Sequence, residues 1–183
     1  MSKHRDYIQT YTKKVFDPFN ICAEDINIED IAHSLSMTVR ANGHIKHFYS
    51  VAQHAIDCVN EAKARKLSRR IALTCLLHDA SECYIADIPR PVKHRLNGYA
   101  RIEEKISEAV FLAFGAGNLT EEERREVADI DDALLYHEFL ALAGLALFEP
   151  APRLFGAHSF EYEEMRDVKA KFIDIFTQLT KAE

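Results

Sequence analysis

The chain has 183 residues, the size of one ordinary domain, and carries 23 Lys and Arg against 29 Asp and Glu, a net charge of −6. That balance, with no long basic run, argues against an electrostatic clamp on a nucleic-acid polymer or an anionic membrane. With 48% hydrophobic residues, the composition is that of a folding chain; no apolar run reaches the roughly 18 residues of a membrane span and the opening MSKHRDYIQT lacks a signal-type stretch, so the expected location is the cytoplasm.

Residues 1–27 read as an irregular or partly extended lead-in, with Asp17-Pro18 marking a turn. Ile28, Ile31, Ala32 and Leu35 recur at helical spacing and predict a short helix broken by Arg40-Ala-Asn-Gly43. Ser50 is a good N-cap for a second helix with Val51, Ala55, Ile56, Val59 and Ala62 on one side. From Arg69, the run IALTCLLHDA is apolar nearly all the way round, which places a helix over 69–82 in the middle of the protein. Asp87-Ile-Pro89-Arg-Pro91 predicts a rigid loop, because its prolines fix φ and remove amide donors.

A helix over 99–114 carries Ile102, Ile106, Val110, Leu112 and Phe114 and stops at Gly115 and Gly117. Thr120 with Glu123 forms a capping box that opens a long helix through Leu147, ended near Pro150. A last helix is expected from about Ser159 to Thr180. No stretch shows period-2 alternation, so the expected class is all-α: one domain over 1–183, with a helical core at about 28–140 and the last helix packed on it. Cys22, Cys58, Cys75 and Cys83 contain no C-x-x-C pair and read as buried, reduced thiols.

The pair His78-Asp79 closes the most apolar helix, where a lone buried carboxylate would cost several kcal/mol. A bound cation is its simplest partner. Adjacent helical side chains diverge by about 100°, so the remaining ligands must come from other helices. His54, set among apolar neighbours, is a candidate, against the alternative of a satisfied core histidine. In the long helix Asp129, Asp131 and Asp132 crowd together. Asp131 shares a face with Val127, Leu134, Leu135 and Glu138, which points it inward, while a slip of one residue would select Asp132. Two imidazoles and two carboxylates suit one divalent transition-metal ion (Mn, Co, Fe, Ni or Zn) rather than calcium, with coordination positions left open.

On these residues the sequence resembles the HD-domain metal-dependent phosphohydrolase superfamily, whose H…HD…D pattern is met by His54, His78-Asp79 and Asp131. HDASECYIADIPRPVK, residues 78–93, is similar to the 5′-deoxynucleotidase branch, and GHIKHFYSVAQHA, residues 43–55, to small HD proteins often carried by prophages. The resemblance implies that Glu82 is the general acid/base, a role its spacing of four from His78 also suits. It further implies that Asp87 contacts a sugar hydroxyl and that Arg40 lies by the phosphate, with weaker claims for Lys93 and Arg90. Where that branch has a tryptophan after the arginine, this chain has Ala41, which leaves base selection open; His44 and His47 line the pocket or sit on a polar loop. The activity implied is removal of the 5′-phosphate from a deoxynucleoside monophosphate, with a nucleotide as the partner and a homodimer as the assembly. A cyclic nucleotide, a triphosphate or an alarmone is the alternative substrate, and a non-catalytic nucleotide or metal sensor the alternative class.

Overall fold

The computed structural model describes residues 6–181; the first five residues of the expected lead-in and the last two of the chain lie outside the described residues. The rest of the lead-in begins with a hairpin in which β1 (Ile8–Gln9) pairs antiparallel with β2 (Val15–Phe16). Two-residue strands are too short to show alternation, so nothing in the periodicity announced them. Thr12 in the turn donates from its amide and its hydroxyl to Asp30, at 2.6 and 2.8 Å.

Everything after the lead-in is helical or irregular. Helix α1 (Ile28–Met37) is capped by Asn27, whose side chain accepts from the Glu29 amide, and it buries Ile31, Ala32 and Leu35. Ala41, Asn42 and Gly43 then take three successive left-handed conformations (φ 53°, 51° and 76°), a turn closed by the His44 amide on the Ala41 carbonyl at 3.0 Å. The Arg40 amide bonds the Tyr49 carbonyl at 2.9 Å, which fixes the arginine at the mouth of this turn.

Helix α2 (Val51–Ala64) opens on a capping box between Ser50 and Gln53 and packs along α3 (Arg69–Leu77). Helix α3 is buried from Ile71 to Leu77, and α2 buries nine of its fourteen residues. Ile31, Leu76, Leu77 and Leu134 are fully enclosed in one continuous core, each contributing about 1.5–3 kcal/mol of burial. Helices α6 (Tyr99–Phe114), α7 (Glu121–Ala143) and α8 (Met165–Thr180) close around the central pair. The class is all-α, in agreement with the sequence reading. Among the described residues no helix is long and apolar enough to cross a membrane.

Several boundaries differ from expectation. The helix expected over 69–82 stops at Leu77. The chain tightens into successive three-residue turns (Ala80 amide to Leu77 carbonyl, Glu82 amide to Asp79 carbonyl) and restarts as α4 (Glu82–Ile85). The Pro89–Pro91 loop is the start of a helical turn, α5 (Arg90–Lys93), because a proline in the first turn has no amide to lose and a φ already suited to helix. Helix α7 ends at Ala143, not Leu147. Gly144 (φ 68°) caps it, and its amide and that of Leu145 both bond the Phe139 carbonyl. Leu112 is 77% exposed, being off the Ile102–Ile106–Val110 stripe.

The expected last helix begins six residues later than predicted. Residues 144–164 instead form an irregular strap tied to α2 by the fully buried Glu61. One Glu61 oxygen accepts from Arg65 Nε at 2.8 Å and the other from the Gly156 amide at 2.9 Å; the Phe155 amide lies 3.0 Å from the first. His158, its side chain fully buried, spans Asp57 (3.1 Å) and Glu61 (3.2 Å). Burial opposes the Glu61 charge, but Arg65 and the two amides hold its pKa below the usual range.

Candidate metal centre

Three helical segments and the turn after α3 bring four side chains to one point. His54 comes from the first turn of α2, His78 from the C-cap of α3, Asp79 from the following turn and Asp131 from the middle of α7. Their ligand atoms lie at short range: His54 Nε2 is 3.3 Å from His78 Nε2, 3.1 Å from Asp131 Oδ1 and 3.8 Å from Asp79 Oδ2. His78 Nε2 is 3.3 Å from Asp79 Oδ2 and 3.7 Å from Asp131 Oδ1. Ligands at about 2.0–2.2 Å from a shared ion stand about 3–3.5 Å apart at tetrahedral or octahedral angles, and the observed edges cluster around that value.

The outer nitrogens decide what the inner ones can do. His54 Nδ1 faces Glu138 Oε1 at 2.6 Å, and His78 Nδ1 faces the Cys75 carbonyl at 2.8 Å. A carboxylate and a carbonyl only accept, so each Nδ1 carries the proton and donates it. In the neutral rings both Nε2 atoms therefore present lone pairs toward each other and toward two carboxylate oxygens. Four electron-rich atoms converging in this way fit a cation between them. Without one, protons substitute: burial and the Arg40 charge oppose it, yet Glu138 and Asp131 lift His54 to about 9, and Asp79 and Asp131 hold His78 well above its ordinary value against burial. Asp79 and Asp131 in turn are held well below the carboxylate range, burial being outweighed by the two imidazoles.

Cys58, one turn after His54, adds a thiol. His54, Cys58 and His78 form a group whose ligand atoms all lie within 4.8 Å of one another and which could hold a metal ion. Cys58 Sγ is 3.5 Å from His54 Nε2, and burial holds the thiol pKa well above its ordinary value.

Of these groups Asp79 and Asp131 line a cavity of about 600 Å³, whose lining also includes Arg40, Glu82, Asp87, Arg90 and Lys93. Glu82 is 4% exposed; its Oε1 accepts from Lys93 Nζ at 3.3 Å and its Oε2 is buried with no partner among the described residues. Burial, reinforced by Asp79 and Asp87, pushes its pKa up to about 8. Lys93 also pairs with Glu103 at 2.6 Å. Asp87 follows Ala86, whose φ of 71° and ψ of 155° fall in a region that normally admits only glycine, a strain of about 1–3 kcal/mol. Burial, with Asp79, raises the Asp87 pKa, opposed by Arg40.

Arg40 bonds Glu138 Oε2 at 3.0 Å and lies 3.6 Å from Asp79 Oδ2, so Glu138 joins the arginine to His54. The sequence reading placed Glu138 on the Asp131 face without assigning it a role; the available signal was a glutamate at seven residues' spacing on the inner face of α7. Cys58 was legible only as a buried thiol. The argument that Glu82 shares a helix with His78 is overturned by the break at 78–81, although Glu82 reaches the same cavity. Asp131 and Asp132 are separated clearly: Asp132 turns outward to Arg90 at 3.0 Å, while Arg90 also approaches Asp131 Oδ2 at 3.4 Å. Asp129 is exposed. His44 lines the cavity, whereas His47 Nε2 bonds the Phe160 carbonyl at 3.0 Å and supports the strap.

Fold and site thus define an all-helical protein with a largely buried group of imidazole and thiol ligands, flanked by the carboxylates of Asp79 and Asp131, which line an open cavity. No family model matches the chain. It is similar to "Uncharacterized protein YfdR" of Escherichia coli strain K12, 43% identical over 109 residues that make up 60% of this chain and 58% of that relative's length. It is 37% identical over 139 residues to "Uncharacterized protein RCAP_rcc00048" of Rhodobacter capsulatus, with 72% of this chain and 70% of the relative covered. The chain belongs to the family of the Rhodobacter protein. It spans 58% of the length of the Escherichia coli protein.

Proposed function

We propose that the protein is a metal-dependent phosphohydrolase of the HD-domain type, releasing the 5′-phosphate of a deoxynucleoside monophosphate. The observation that carries this reading is the pair of inward-facing Nε2 atoms 3.3 Å apart, each with its Nδ1 committed elsewhere and each within 4 Å of two carboxylate oxygens. His54, His78, Asp79 and Asp131 would hold the ion. Bound there, a transition-metal ion supplies Lewis acidity to a phosphoryl oxygen and lowers the pKa of a water.

The chain's own groups do the remaining work. Glu82, poised near neutrality by its burial, accepts the proton of the attacking water and returns one to the departing sugar oxygen. Lys93 keeps the Glu82 side chain aimed into the cavity. Arg40, held by Glu138, offers its guanidinium to the phosphate, and Asp87 accepts a hydrogen bond from a sugar hydroxyl at the cavity wall. The cations at the cavity each answer to acidic neighbours: Arg40 to Glu138 and Asp79, Arg90 to Asp131 and Asp132, Lys93 to Glu82 and Glu103. That balance favours a monophosphate over a triphosphate.

The test is phosphate release from nucleoside mono- and triphosphates with Mn, Co, Mg or chelator, alongside metal content after purification. Metal-dependent release from the monophosphate is expected. Bound metal with no release from any substrate would instead support a sensor, a reading to which Cys58 beside His54 lends some weight as a soft ligand.

A further inference from the structure

The cavity lining is chemically mixed. Beside its charged groups it includes Ile88, Pro89, Leu135, Phe139, Leu147 and Phe148. Leu147 and Phe148 belong to the strap, and both are substantially exposed, at 36% and 43%. Solvent-facing side chains of this size on a pocket wall have apolar area to gain from an occupant.

The strap is also held at both ends of this stretch. Gly144 and Leu145 are bonded to the Phe139 carbonyl, and His137 Nε2 meets the Pro152 carbonyl at 2.8 Å. Beyond Pro152 come the Glu61 and His158 ties to α2, where a Cβ on Gly156 would stand 3.0 Å from His158 Nε2 and 3.3 Å from Glu61 Oε2. Phe148 itself leans on Tyr136, ring centroids 5.2 Å apart. A side chain so framed is a wall, with its backbone located by contacts outside the cavity.

We propose that Phe148, with Leu147 and Phe139, is the specificity-determining face of the cavity and stacks a flat heteroaromatic ring carried by the phosphate ester. The inference rests on the hydrolase reading above, and it places the ring of the leaving group against the strap while the phosphate lies by the charged groups. An aromatic platform accepts any such ring by its face, which gives affinity for ring-bearing esters with broad tolerance among rings.

The chain contains no tryptophan, so Phe148→Trp creates a single indole reporter at the wall. With Mg present, deoxyadenosine 5′-monophosphate should quench its emission and 2-deoxyribose 5-phosphate should not. No quenching, or equal quenching by both, overturns the proposal. In the kinetic arm, Phe148→Ala should lower kcat/KM for the nucleotide by about tenfold, the scale of one base-on-aromatic stack, while changing that for the sugar phosphate by less than about twofold. Equal losses on the two substrates would mean a structural role and also overturn it. Failure of the unaltered protein to release phosphate from either compound sinks the hydrolase reading alone, and the fluorescence result then decides the wall by itself.

Discussion

Glu138 is the residue whose removal tests the site most directly. Its buried carboxylate takes a proton-bearing nitrogen of His54 on one oxygen at 2.6 Å and Arg40 on the other at 3.0 Å. Glu138→Ala deletes two charge-assisted hydrogen bonds, at about 1.5–3 kcal/mol each, and leaves Arg40 the longer contact to Asp79 at 3.6 Å as its remaining side-chain ion pair among the described residues. Breaking a buried ion pair costs about 3–5 kcal/mol, and the surviving Asp79 contact places this one near the lower end, about 3–4. At about 2–4 °C per kcal/mol for a chain of this size, Tm in chelator should fall by about 6–16 °C. Glu138→Gln keeps the shape but cannot satisfy both neighbours. If the amide oxygen faces His54, its NH₂ meets the Arg40 donors; if it is reversed, the proton moves to His54 Nε2, where it blocks a ligand. Metal affinity in Glu138→Gln should therefore drop about 10–100-fold, the usual cost of losing a carboxylate behind a ligating histidine. Thermal denaturation in chelator and a metal titration measure the two effects. An unchanged Tm in Glu138→Ala, together with an unchanged metal affinity in Glu138→Gln, would refute the account of how the site is held.

Glu82→Gln should bind metal as the unaltered protein does and lose about 10²–10⁴ of its turnover, measured as phosphate release beside metal content. Asp131→Ala should abolish metal retention while Asp132→Ala leaves it intact; a loss in the second variant alone would shift the ligand by one residue. In chelator, stability should decline as pH rises from about 4.5 through 9. His54, raised to about 9 from an ordinary 6.5, stabilises the fold fully below 6.5 and loses that contribution on passing about 9; Glu82, raised to about 8 from 4.5, loses its contribution on the way from 4.5 through 8. Excess metal should flatten or reverse the trend because the ligating imidazoles must then be neutral, and a Tm in chelator that climbs between pH 6.5 and 9 would contradict it. Gly156→Ala should destabilise by about 1–3 kcal/mol through the crowded His158 and Glu61 contacts, read by denaturant unfolding.

The sequence by itself determined the helical class, because 3.6-residue periodicity, the N-cap at Ser50 and the capping box at Thr120 are local signals that the tertiary structure had no reason to override. It also singled out His54, His78, Asp79 and Asp131, since polar residues in apolar helix faces demand partners, and the fold sets these four side by side. Where helices stop was less legible: the break after Leu77 and the cap at Gly144 depend on turns that long-range packing selects. Only the tertiary structure turned Asp131 toward His54 and Asp132 toward Arg90, because a difference of about 100° around one helix becomes inward or outward only once its neighbours are in place. It alone joined Glu138 to His54 and Arg40, 84 and 98 residues away, and brought the strap's Phe148 to the cavity that Glu82 lines. Contacts of that range leave no periodic trace, since their geometry belongs to the packing of elements rather than to any one of them.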